Sequence, residues 1–177
     1  MKNLIIRDAR EKELVYIREM RLHAYEEHAP KIPEAHWNAL QQSILSDADS
    51  KPGIERIVAE INGEIVGSVA LFAPDKQVYE GLLDEELNYP ELRMLAITSQ
   101  ARGKGAATAL INECMKRSKE KGFTEMGLHT ADFMENAIKL YTHLGFERLP
   151  QFDFEPANDG IIVKAFRIKL GYVKGKG

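Results

Sequence analysis

The segment LRMLAITSQARGKGAATALINEC, residues 92–114, carries the strongest fold signal in this chain. It begins with an apolar run of strand length, passes through a basic turn with two glycines, and continues with apolar residues at helical spacing. A turn between a strand and a helix lies beside the unpaired N–H groups and the positive end of that helix. The segment therefore predicts an anion site of the kind that holds phosphate groups.

The turn itself narrows the choice of phosphate motif. Gly103 and Gly105 let the backbone approach a ligand closely, and Arg102 and Lys104 add positive charge. A P-loop is excluded, because Gly105 stands where that motif needs Ser or Thr after its lysine. A dinucleotide fingerprint is disfavoured, because Thr108 occupies its third glycine position and no ribose-binding acid follows. A basic turn without a ligand stays open as the structural alternative.

The rest of the chain predicts an α/β protein with a mixed sheet and helices on both faces. Asn62-Gly63 joins two β-rich runs, residues 54–61 and 64–72, as the type I′ turn of a hairpin would. The apolar run at 91–97 is typical of a buried central strand. Periodicity and turn residues give the remaining elements. Strands are predicted at 4–7, 124–130, from 146 onward and at 161–170, and helices at 11–27, from Pro33 to about 45, at 105–121 and from 136 to Gly145.

Gln100 to Gly105, QARGKG, matches the Gln/Arg-x-x-Gly-x-Gly/Ala signature of the GCN5-related N-acetyltransferases (the GNAT superfamily), which this sequence resembles. ELRMLAI before the turn is similar to the family's fourth strand, and LYTHLGF at 140–146 is similar to its helix-to-strand junction. The resemblance extends over residues 4–170. It implies a GNAT-like fold of order β-α-α-β-β-β-α-β-α-β-β, forming a single N-acetyltransferase domain over residues 1–177.

The resemblance also implies an acyl donor, acetyl-CoA, and no metal. The turn would hold the pyrophosphate through backbone N–H groups, and the fourth strand would leave the fifth, often by a β-bulge, to pair with the pantetheine arm. The implied acetyl-CoA residues are Leu95, Ala96, Ile97, Arg102, Gly103, Lys104, Gly105, Ala106 and Ala107. The implied activity is acetyl transfer by direct attack of a primary amine in a ternary complex. A non-catalytic acyl-CoA-binding module on the same scaffold is the alternative.

Two residues are candidates for catalysis by resemblance. Tyr141 would protonate the leaving thiolate, since a phenol is protonated at neutral pH; its alternative is packing on the helix stripe. Glu91 would deprotonate the amine through water, and strict alternation places it on the same strand face as Arg93. The alternative for Glu91 is an ion pair on a solvated strand end, either with Arg93 or across to a neighbouring strand. His129 ends the fifth strand, where a structural role is favoured over proton relay.

Three further positions bear on the site. Met134 stands where relatives often carry an asparagine that contacts the pantetheine region. Asn136 is predicted instead to cap the following helix. Cys114, the single cysteine, falls on an apolar helix stripe and is predicted to be a core residue.

Composition limits the partners. A net charge of −3 and a pI near 6.0 argue against a nucleic-acid binder. No apolar run is long enough for a signal peptide or a membrane span, so a cytoplasmic protein is expected. The acceptor is expected to be a small amine, an amino acid or a protein amine. The acidic segment at 75–86 would attract a cationic amine, or is simply a solvated charged loop. A homodimer is a family-level expectation. Candidates for an apolar acceptor pocket, or simply for core, are Tyr25, Trp37, Tyr79, Phe152 and Phe154.

Overall fold

The computed structural model describes residues 3–74 and 88–171, so the acidic segment at 75–86 lies outside the described residues. The strands are β1 (Leu4–Asp8), β2 (Ile54–Ile61), β3 (Glu64–Phe72), β4 (Glu91–Ile97), β5 (Glu125–Ala131), β6 (Glu147–Arg148) and β7 (Val163–Lys169). The α-helices are α1 (Leu14–Tyr25), α2 (Glu34–Leu45), α3 (Ala106–Glu120) and α4 (Glu135–His143). The predicted order of strands and helices is confirmed. None of the helices among the described residues is long and apolar enough to cross a membrane.

The strands form a mixed sheet of order β1-β2-β3-β4-β5-β7-β6. Strand β4 pairs with β5 in parallel through Glu91 and Gly127, whereas β1–β2, β2–β3, β5–β7 and β6–β7 are antiparallel. The mixed α/β class is therefore confirmed. By its contacts the chain divides into two compact units, Met1–Phe72 with Leu92–Cys114 and Ala73–Glu91 with Met115–Gly177. The single domain over residues 1–177 stays a prediction.

The first unit is built on the hairpin of β2 and β3. Asn62 and Gly63 both have positive φ, 52° and 84°, as a type I′ turn requires, and both strands have the predicted bounds. Helix α1 packs Leu14 and Ile17 against Val58 of β2, where all three side chains are buried. Short 3₁₀ turns at Glu11–Glu13 and Glu26–Lys31 flank α1 and account for the longer helix that the sequence predicts. Each apolar side chain of this kind, when fully buried, stabilises the folded state by about 1.5–3 kcal/mol.

Strand β4 departs from regular geometry at its centre. Met94 has a φ of 60°, in the left-handed region that only a few per cent of non-glycine residues adopt. This conformation interrupts the regular geometry of β4, and the prediction that Glu91, Arg93, Leu95 and Ile97 share one face stays a prediction. Glu91 is buried, whereas Arg93, Leu95 and Ile97 are half-buried. Such local irregularity in a strand is the property that the splayed-strand hypothesis needs.

Helix α3 follows the turn that ends β4. Leu110, Ile111 and Cys114 are fully buried on one face of α3, which confirms Cys114 as a core residue. Gly122 closes the helix with a φ of 92°, as predicted for a C′ glycine.

The second unit is centred on β5, β7 and β6, with Leu128 and Phe166 in its core. Gly127 of β5 lies under the Tyr89 ring, since a Cβ at this position would lie 2.4 Å from Cε1 of Tyr89. Helix α4 begins at Glu135 after Met134, which makes no capping hydrogen bond through its side chain. Asn136 therefore lies inside the helix, and its predicted capping role is wrong.

Candidate active site

The predicted anion-binding turn forms in the first unit as one continuous segment. A 3₁₀ turn at Ser99–Ala101 leads into Gly103 and Gly105, whose φ angles are 78° and 85°. The amide of Ala109 donates the first helical hydrogen bond to the carbonyl of Gly105, at 3.0 Å. The N–H groups of the first turn of α3 therefore precede the helical ladder and point toward the glycine turn.

The two glycines are required by backbone conformation and not by crowding. A Cβ added to Gly103 or Gly105 would have no heavy atom within 4 Å among the described residues. Residues 102–105 are exposed. Ala106 has only 1% of its surface exposed and anchors the start of α3. The turn thus combines a fixed backbone, positive helix-end potential and open space over the glycines, which suits a phosphate ligand.

Arg102 is paired within the same unit. Its guanidinium donates to the Glu27 carboxylate at 2.9 Å, and both side chains are a little over two-fifths exposed. This hydrogen bond is the main cause that lowers the pKa of Glu27 below its ordinary value. Exposed ion pairs of this kind contribute little to stability, about 0–1 kcal/mol. An anionic ligand at the turn would therefore share Arg102 with Glu27, a residue that the sequence analysis did not single out.

A cavity of about 440 Å³ opens beside this ion pair in the first unit. Glu19, Met20 and Glu27 line one wall, and Gln100 and Arg102 line another. The lining of this cavity is partly charged and partly apolar. The glycine turn therefore has a cavity beside it, in addition to the open space over Gly103 and Gly105.

The backbone of β4 beyond Met94 is held by a side chain from α1. The Tyr25 hydroxyl donates to the carbonyl oxygen of Leu95 at 3.1 Å. Burial raises the pKa of Tyr25, with a smaller opposing effect of Arg21, so the phenol stays protonated as a donor. A carbonyl oxygen has a second lone pair, so Leu95 can still accept from a ligand. Tyr25, predicted as a pocket or core residue, instead stabilises the irregular strand.

In the second unit, Glu91 lies in a buried hydrogen-bonded row. Its Oε2 is 2.8 Å from Nδ1 of His129, and Nε2 of His129 is 3.0 Å from the carbonyl oxygen of Phe152. The Glu91 and His129 side chains are each 5% exposed. The solvated strand end is therefore wrong for Glu91, because its side chain is buried. A cross-strand pair is present, with His129 of β5 as the partner.

The surroundings of this row are aromatic. The Phe154 ring lies 5.3 Å from the His129 ring at an angle of 47°. Burial, and then the nearby Glu91 carboxylate, raise the pKa of Tyr89 to about 12, while Arg167 lowers it. Tyr89 is therefore a neutral phenol at physiological pH. Neither Tyr89 nor the Glu91–His129 contact was predicted, since nothing in the local sequence indicates either.

Tyr141 lies on α4 with only 4% of its surface exposed. Its ring packs edge-on to Phe146 at 5.6 Å and tilted to Phe166 at 6.4 Å. The packing alternative is thus present in the structure. Packing of the ring leaves the chemistry of the phenol hydroxyl undecided, so the acid role stays a prediction.

The described residues contain no group of three or more His, Cys, Asp or Glu side chains arranged to hold a metal ion. The chemical groups on hand are therefore a backbone anion cradle in one unit, and a carboxylate–imidazole pair and a phenol in the other.

The fold is that of an α/β protein with a mixed sheet. The strand, the turn of two positive-φ glycines and the helix start form a site that suits an anionic ligand. The chain belongs to the acetyltransferase (GNAT) family, whose model matches residues 14–146. The family resemblance of the sequence is thereby confirmed.

Individual relatives agree with this assignment. The chain is 37% identical over 100 residues to the uncharacterized N-acetyltransferase YjgM of Escherichia coli, a match that covers 56% of this chain and 55% of the relative. The chain spans about half the length of the curated relatives it matches.

Solved structures agree in fold. The PaiA N-acetyltransferase of Thermoplasma acidophilum in complex with coenzyme A superposes with a TM-score of 0.71 at 16% identity, covering 94% of this chain and 99% of that one. The acetyltransferase YncA of Salmonella typhimurium, with its cofactor acetyl-CoA, gives a TM-score of 0.64 at 16% identity, covering 97% and 96%.

Proposed function

We propose that this protein is an N-acetyltransferase that transfers the acetyl group of acetyl-CoA to a primary amine by direct attack in a ternary complex. The observation that carries the proposal is the turn at 102–107, where two positive-φ glycines precede the N-terminal end of α3. This turn suits the pyrophosphate of coenzyme A. Two family members of the same fold bind coenzyme A or acetyl-CoA, which supports the same donor here.

In this proposal the donor is held mainly by backbone groups. The N–H groups of residues 102–107 bind the pyrophosphate, and Arg102 and Lys104 add charge from exposed positions. The backbone of Leu95, Ala96 and Ile97, beyond the irregular residue Met94, pairs with the pantetheine arm. Tyr25 fixes the carbonyl of Leu95 and so keeps this stretch in one conformation.

The transfer step needs a base, an acid and an oxyanion donor. The amine nitrogen attacks the thioester carbonyl, a C–N bond forms, and the C–S bond breaks to release coenzyme A. We assign the amine proton to Glu91 through water and the thiol proton to the Tyr141 phenol. A backbone N–H near Ala96 or Ile97 is the proposed donor to the oxyanion.

The experiment is a panel of amines with acetyl-CoA, followed by the release of free thiol. Small amines, amino acids and peptide N-termini form the arms of the panel. Turnover with one class supports the proposal and names the acceptor. Tight binding of coenzyme A without turnover in any arm would instead identify a non-catalytic acyl-CoA-binding module.

A further inference from the structure

The buried row Glu91–His129–Phe152 restricts the protonation of the histidine. A neutral imidazole has one N–H donor and one acceptor nitrogen. Here Nδ1 faces a carboxylate oxygen at 2.8 Å and Nε2 faces a backbone carbonyl oxygen at 3.0 Å. A carbonyl can only accept, so Nε2 must carry a hydrogen. The contact at Nδ1 then needs a second proton, either on the ring or on the carboxyl group.

The second proton belongs on the ring. A ring that carries both hydrogens donates to the carboxylate at 2.8 Å and to the carbonyl at 3.0 Å, and these two hydrogen bonds offset the cost of burying the charges. The Glu91 carboxylate is in contact with the ring at 2.8 Å and stabilises a cation at position 129. Burial raises the pKa of Asp153, which is next to Phe152, but hydrogen bonds from Arg148 and from the Ala165 backbone lower it overall. Asp153 is paired with Arg148 at 2.7 Å, so these two charges offset each other near the row.

We infer that His129 is a positioning residue of this site. Its doubly protonated ring holds Glu91 as a carboxylate and ties that carboxylate to the backbone at Phe152. The inference rests on the proposed role of Glu91 as base, and it explains how a buried carboxyl group keeps its charge. Burial alone would favour the protonated, inactive form of the carboxyl, and a paired, hydrogen-bonded cation opposes that tendency.

The row also connects elements that are separate in sequence. Glu91 begins β4, His129 lies near the end of β5, and Phe152 ends the 3₁₀ turn Pro150–Phe152. The loop after this turn continues with Phe154, whose ring contacts His129. His129 therefore fixes the carboxylate and the course of the 150–154 segment with one side chain.

The direct test is the nitrogen NMR spectrum of the full chain labelled with ¹⁵N-histidine, with the exposed His143 as the reference within the spectrum. We expect two N–H groups on His129 at pH 7.5, and loss of the second in Glu91→Gln, where the charge that stabilises the cation is gone. A single N–H on His129 in the unaltered chain at pH 7.5 would overturn the inference. This measurement needs no turnover and no substitution at position 129.

The kinetic test uses His129→Gln, whose amide can still donate a hydrogen bond but carries no charge. Without the cation, the carboxylate at position 91 takes up a proton more readily as the pH falls. We expect the acidic limb of kcat/KM for the amine to move to higher pH by about one unit. An unmoved limb in a folded variant would reduce His129 to a packing residue.

The two tests separate the two proposals. If no amine is turned over, the proposed acetyl transfer fails while the NMR result still decides the charge on His129. If turnover occurs and His129 shows one N–H, the activity stands and the positioning role is discarded.

Discussion

The first unit presents its candidate ligand-binding groups on the backbone, whereas the second unit presents its candidate groups on side chains. The turn at 102–107 needs only two positive φ angles and a helix start, and its side chains are mostly exposed. The side chains of Glu91, His129 and Tyr141 in the second unit are buried, and Glu91 and His129 are held by each other across 38 positions. A backbone site is robust to most substitutions outside its glycines. A side-chain site depends on each partner, because one lost contact leaves a buried polar group unpaired.

The largest expected effect concerns the buried side-chain groups of the second unit. Tyr141→Phe keeps the ring contacts with Phe146 and Phe166 and removes only the hydroxyl. If the phenol is the general acid, kcat should fall by about 100-fold while the affinity for coenzyme A is kept. Steady-state kinetics and a direct binding measurement separate the two quantities. An unchanged kcat would leave Tyr141 as a packing residue.

The next effect concerns the stability of the second unit. Gly127→Ala places a Cβ 2.4 Å from the Tyr89 ring and 3.1 Å from the carbonyl oxygen of Phe166. One neighbour is a ring and the other is backbone, so relief requires a shift of packed atoms. We expect a loss of about 1–3 kcal/mol in the free energy of unfolding, measured by urea denaturation. A loss below 0.5 kcal/mol would show that Tyr89 moves aside at little cost.

The backbone half is tested by two matched glycines at the two ends of α3. Gly105 and Gly122 have φ angles of 85° and 92°, and a Cβ at either position would meet no heavy atom of residues 3–74 and 88–171 within 4 Å. Replacement of either by alanine should therefore cost a similar 1–2 kcal/mol or so in stability. Only Gly105→Ala should also weaken coenzyme A binding, by about tenfold, an affinity change of about 1.4 kcal/mol. Equal affinities in both variants would remove the turn from the donor site.

The same contrast explains what the sequence could predict. The hairpin and β4 have the predicted bounds, because Asn62-Gly63 and the apolar run act locally. The conformation of the turn was also predictable, since it depends on glycines and a helix start that lie together in the chain.

The failures are contacts or conformations without a local signal. The positive φ of Met94 is imposed by the fold on a residue that disfavours it, and nothing in the apolar run of β4 indicates it. Glu91 and His129 are 38 positions apart, and Glu27 and Arg102 are 75 apart. Pairs at such separations form only through the tertiary structure, so their identity cannot be derived from spacing.

The smallest effect asks whether a side chain also modulates the backbone site. Glu27→Gln removes the charge that Arg102 now contacts at 2.9 Å, so the guanidinium becomes more available to a phosphate group. We expect a gain of about two- to fivefold in coenzyme A affinity that fades as salt is added, because both side chains are well exposed. Arg102 lowers the pKa of Glu27, so the pair is fully formed above the ordinary pKa of a glutamate and is lost as the pH falls through the lowered value. The affinity difference should therefore be constant near neutral pH and shrink in acid.

Glu26→Gln is the matched control, since it removes the same charge one residue away. A gain of equal size in both variants would mean that only net charge matters, and that Glu27 does not compete for Arg102.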